Sequence, residues 1–163
     1  MRILIGTLLA LLLFAAPVQA TFRITVDGIT YESSFADTRM NYSVNGNVVA
    51  YLRKNKDKDR WEFVDTNDNL IGYAIEVKTG YTYFDKYGNP AGTVEDIPPP
   101  DNFNGPCAIY RDRFGKVIGY AQEVGCFRLN FLDANNNIIG DELGSNALPL
   151  RPIPVEIWLK MRK

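Results

Sequence analysis

The chain has 163 residues, with 18 Lys and Arg against 19 Asp and Glu, no histidine and two cysteines. So even a charge balance gives no broad positive field, and nucleic acid is excluded as an expected partner. The missing imidazole excludes histidine-based triads and histidine-ligated zinc or haem, and two cysteines cannot build a cysteine-rich framework.

Residues 1–20 read as an export signal. Arg2 supplies the positive start, Leu8 to Ala16 is an unbroken apolar run, Pro17 breaks it, and Val18-Gln19-Ala20 supplies the cleavage positions. Removing these 20 of the 163 residues leaves 143, one domain by size. No later apolar stretch approaches the ~18 residues that span a bilayer, so no transmembrane segment is expected in the mature chain. Thr21 stands at the expected cut where a lipoprotein anchor would need cysteine. The expected location is a bacterial periplasm or the extracellular space. There, Cys107 and Cys126 are expected to form a disulfide, closing about 20 residues for on the order of 3 kcal/mol.

Strands follow in chain order. Phe22, Ile24 and Val26 alternate with Arg23, Thr25 and Asp27, and Asp27-Gly28 signals a hairpin. Asn45-Gly46 signals another between Tyr42 and Val48. RKNKDKDR, from Arg53 to Arg60, reads as a solvated charged turn.

From Phe63 onward one unit is used four times: FVDTNDNLIG, YFDKYGNPAG from Tyr83, YRDRFGKVIG from Tyr110 and FLDANNNIIG from Phe131. Each has an aromatic, an aspartate two residues on (Asp65, Asp85, Asp112, Asp133) and a glycine seven later (Gly72, Gly92, Gly119, Gly140). IGYAIEV from Ile71 recurs as IGYAQEV from Ile118, so the units form a duplication of about two hairpins per copy. Aspartate closes a turn by accepting backbone amides two residues on, and Asn or Gly tolerates positive φ. In its aromatic-Asp-Gly cadence, GYTYFDKYGNPAG resembles the tyrosine-aspartate repeats of large secreted toxin shells. The likeness covers single hairpins and implies no function.

The expected fold is all-β: about twelve short strands in an antiparallel meander of repeated hairpins, forming a two-sheet sandwich or a barrel-like single domain. Within 21–163, the parts are an N-terminal hairpin region (21–60), a first copy (61–95), a Pro-rich joint (96–106), a second copy (107–143) and a C-terminal segment (144–163). The last alternates Val155, Ile157, Leu159 and Met161 with polar residues, as a closing strand would.

Candidate chemistry is sparse. Asp65, Asn67 and Asn69 place oxygens at positions one, three and five of a calcium loop, with Glu76 at twelve. Leu70 stands where that loop needs glycine, and strands flank it, so turn closure is the preferred reading. Glu62, Glu76, Glu95, Glu123 and Glu142 are available for glycosidase-type catalysis, but Glu76 and Glu123 are repeat equivalents expected to be surface charges. No catalytic residue and no cofactor is assigned. Asn41-Tyr42-Ser43 is a sequon of chance-level weight. The aromatic surface is the expected contact area: Trp61, Tyr73, Tyr81, Tyr83 and Tyr120 on strands, with Phe103 in the joint. The sequence therefore points to an exported, non-enzymatic binding module for a cell-envelope or extracellular protein or glycan. An inhibitor or structural envelope partner acting through the charged hairpin is the next reading, and a carboxylate-dependent glycan enzyme the third.

Overall fold

The computed structural model describes residues 21–26, 29–36, 39–98, 106–125 and 128–143. The expected export signal, the middle of the Pro-rich joint with Phe103, Cys126 and the C-terminal segment lie outside them. Every regular element among the described residues is a strand. They are β1 (Thr21–Val26), β2 (Ile29–Ala36), β3 (Arg39–Val44), β4 (Asn47–Asn55), β5 (Arg60–Val64), β6 (Leu70–Val77), β7 (Gly80–Asp85), β8 (Pro90–Asp96), β9 (Pro106–Asp112), β10 (Val117–Gly125), β11 (Arg128–Asp133) and β12 (Ile138–Leu143).

The expected antiparallel meander is what the chain forms. Each strand pairs with its chain neighbour from β1 through β12. β1 also pairs with β12, from Arg23 opposite Leu143 to Val26 opposite Gly140. Because the direction reverses at every step, the β3–β4, β5–β6, β7–β8, β9–β10 and β11–β12 turns share one end of the strands.

Strand alternation puts one set of side chains on an apolar face. Tyr42, Ala50, Leu52, Phe63, Ala74, Tyr81, Tyr83, Val94, Ala108, Tyr110, Ala121, Leu129 and Phe131 form this buried core. Each large side chain of the group contributes roughly 1.5–3 kcal/mol by leaving water. The nine-residue step from repeat aromatic to repeat glycine has a packing cause. Phe63 lies opposite Gly72, Tyr83 opposite Gly92, Tyr110 opposite Gly119 and Phe131 opposite Gly140. A ring needs space on this face, and a partner without a side chain leaves it.

A register shift follows each pair on the turn side. The bulge swings the residue before each glycine inward, so Ile71, Ala91, Ile118 and Ile139 also reach the core. Tyr42 opposite Ala50 is the same arrangement with alanine in the glycine's place, ahead of the Asn45-Gly46 turn. Asn45 and Gly46 have φ of 51° and 77°, as that two-residue hairpin requires.

The expected disulfide is not formed: Cys107 carries a free thiol. Ala108 faces Ala121 and Pro106 faces Gln122, so Cys107 sits beside that pair, and its Sγ lies 3.5 Å from the Ala121 carbonyl oxygen.

Candidate functional site

The four aspartates are built into the turns. Asp65 Oδ1 accepts the backbone N–H groups of Asn67 and Asn69 at 2.8 and 2.9 Å, and Asn69 Nδ2 donates to Oδ2 at 2.9 Å. Asp85 repeats this with Tyr87 and Asn89, and Asp133 with Asn135 and Asn137. Asp112 Oδ1 accepts from Phe114 and Lys116. Asp68, Gly88, Gly115 and Asn136 close these turns at positive φ. Hydrogen bonding from the asparagine side chain, first, and from backbone amides holds the carboxyls of Asp65, Asp85 and Asp133 below their ordinary range.

The calcium set is not brought together. Both Asp65 oxygens are committed to amides, and Glu76 lies opposite Tyr81 at the far end of β6. Among the described residues no three His, Cys, Asp or Glu converge to hold a metal.

The expected aromatic surface divides. Tyr81 and Tyr83 are buried on the apolar face, which removes them from any contact area. Thr82 and Phe84, their strand neighbours, point the other way. Trp61 is half-buried against the core, with the Lys54 ammonium 5.6 Å from its ring centroid. Tyr73 and Tyr120 lie on the outer face, half-buried. Phe103 is outside the described residues. The sequon is mid-strand: Tyr42 is core, and the buried Oδ1 of Asn41 has no hydrogen-bond partner.

Around Tyr73 the outer face is filled. Tyr73 stacks on Phe84, with ring centroids 5.0 Å apart, and the Arg60 guanidinium lies 4.1 Å from its ring centroid. Glu62, opposite Tyr73, is only 4% exposed. Its Oε1 accepts from Arg60 at 2.7 Å and Asn55 at 3.0 Å, and its Oε2 from Arg53 at 3.2 Å. Burial alone would raise this carboxyl. Hydrogen bonds from Arg60, Asn55 and Arg53, with the Arg60 charge, outweigh it and hold Glu62 below its ordinary range. Asp68 reaches back to Arg53 and Arg39, and Arg39 lies 5.0 Å from the Tyr51 ring centroid. Much of the charged hairpin is thus spent within the chain, Lys54 on Asp59 included.

Sequence reasoning passed over the turn tips. Tyr87 is 78% exposed and Phe114 79%, each two residues after its aspartate, on turns made neighbours by the β8–β9 pairing. The Lys86 ammonium lies 5.0 Å from the Tyr87 ring centroid, and the Arg113 guanidinium 4.6 Å from that of Phe114. Ile138, also exposed, starts β12 at the same end. A cleft of about 380 Å³ beside this group is lined by Asp65, Asn69, Leu70, Ile71 and Lys86. The available signal was the alignment of the four units, which puts aromatics in two copies where the other two have asparagine. Searches of protein families, curated proteins and solved structures find no match to this chain.

Proposed function

We propose that the chain is an exported, non-enzymatic binding module whose contact surface is the row of aspartate-closed turns, engaging a cell-envelope or extracellular protein or glycan. Export rests on residues 1–20 and their cleavage pattern. Of sandwich and barrel, the β1–β12 pairing favours a closed barrel, which would present these turns together on one rim.

The observation that carries the reading is the exposure of Tyr87 and Phe114 on locked turns. Large aromatics with adjoining cations, held at little entropic cost, are good contact residues. The hydrogen bonds that the Tyr87 and Phe114 backbone amides donate to Asp85 and Asp112 fix the tips before any partner arrives. A catalytic reading is disfavoured by Glu62, whose buried carboxylate is kept ionised by its arginines and so is unsuited to act as a general acid.

The test immobilises the full chain, passes envelope extracts and a glycan array over it, and repeats both with Tyr87→Ser/Phe114→Ser. Saturable capture at micromolar concentration, lost in the double variant, is expected. No capture by the native chain, or equal capture by the variant, defeats the reading. Exposed substitutions of this kind change stability by no more than about 0.5 kcal/mol, so folding does not confound the comparison.

A further inference from the structure

The two copies differ at one matching place on the outer face. Tyr120 is the 47-residue equivalent of Tyr73, and the ladder repeats around it. Tyr73 faces Glu62 and Phe84, while Tyr120 faces Ile109 and Leu132. Arg60, which covers the Tyr73 ring, has Cys107 as its equivalent. The Cys107 thiol turns to the Ala121 carbonyl. The first copy thus fills this surface with its own guanidinium and stacked ring. The second has a cleft of about 210 Å³ there, lined by Pro106, Tyr120, Gln122, Leu132 and Asn136.

Asn136 sharpens the contrast. Its equivalent is Gly88, where a Cβ would lie 3.4 Å from the Tyr73 hydroxyl. Both positions have positive φ, 89° for Gly88 and 65° for Asn136. The second copy thus keeps the backbone and adds an amide side chain beside the equivalent tyrosine. Gln122, which stands where the first copy has Ile75, adds another.

We infer that this cleft is a subsite for one neutral pyranose ring of a glycan. Among the described residues no charged side chain lines it, which disfavours phosphate, carboxylate and cationic ligands alike. The lining offers an aromatic body with a polar tip, two apolar side chains and two amides that both donate and accept. A sugar ring presents the matching pair: an apolar face of C–H groups and a rim of hydroxyls. The volume suits one ring, and the open cleft leaves the rest of a chain in solvent.

The site is separate from Tyr87 and Phe114, and its test uses different variants. The full chain, labelled with nitrogen-15, is titrated with neutral hexoses and N-acetylhexosamines up to tens of millimolar, with sodium phosphate and phenol as controls. Saturable shifts centred on Tyr120, Gln122, Leu132 and Asn136 with at least one sugar are expected. Asn136→Gly restores the residue of the first copy at a glycine-compatible φ, and Leu132→Phe brings in the first copy's ring. Asn136→Gly is expected to weaken sugar binding about tenfold, roughly the loss of one hydrogen-bonded contact, and Leu132→Phe to weaken it by occupying the cleft. No sugar response, shifts centred elsewhere, native affinity kept in both cleft variants, or a stronger response to phosphate or phenol each overturns the assignment.

Discussion

Tyr110 lies directly opposite Gly119 across the β9–β10 ladder, and a Cβ added to Gly119 would run into the carbonyl oxygen of Leu132 on β11. The glycine therefore permits close backbone approach between β10 and β11. Gly119→Ala must displace backbone, since no flexible side chain can yield there. The expected loss is about 1–3 kcal/mol, read as a lower urea midpoint at unchanged slope. A variant as stable as the native chain would remove the packing account of the repeat glycine.

The turn aspartates set a direction for pH dependence. In Asp65, Asp85 and Asp133 the folded carboxyl is held below its ordinary value of 3.8. Their contribution is therefore complete above about 3.8 and is lost as pH falls through the lower folded values. Stability is expected to be flat in this contribution from pH 5 to 7 and to decline below pH 4. Replacing all three by asparagine should lower the melting temperature at pH 7 and flatten the acid decline. An acid profile unchanged by the triple substitution would show that the turns do not govern it.

Glu62 shares that sign and differs in burial. Its carboxyl, ordinarily at 4.5, is held lower by Arg60, Asn55 and Arg53 against the cost of burial. Glu62→Gln keeps the shape and removes the charge, leaving two guanidinium groups without their shared counterion. The expected cost is roughly 1–3 kcal/mol at pH 7, shrinking as pH falls through the folded value because the native carboxyl protonates there. A urea melt at pH 7 and at pH 3 checks both. A cost that stays constant across that range would mean that the charge has no part in it.

Local chemistry explains why the hairpins were legible in the sequence. An aspartate bonds amides two and four residues away, and a ring meets a glycine nine residues on, so both signals sit inside one short window. Facing is different. In Tyr81-Thr82-Tyr83-Phe84, alternation separates two sets, and tyrosine suits either an interior or a contact surface. Only the long ladder from Phe63 to Phe131 decides that Tyr81 and Tyr83 point inward. The cleft over Tyr120 was still less accessible. It depends on Arg60 being matched by Cys107, and on Gly88 by Asn136, whose consequences appear only once strand register sets them around a shared tyrosine.

For the cysteines, an even count and an export signal outweighed geometry in the sequence reading. Cys107 is half-buried, and burial, the largest influence, pushes its thiol above the ordinary range. A neutral, sheltered thiol reacts slowly. Iodoacetamide is therefore expected to modify Cys107 slowly in the native protein and rapidly in urea, as peptide mass mapping reads site by site. Because no bridge involving Cys107 contributes to the folded state, adding a reductant should leave the melting temperature unchanged. A fall in melting temperature with reductant, or a Cys107 peptide that alkylates only after reduction, would restore the disulfide.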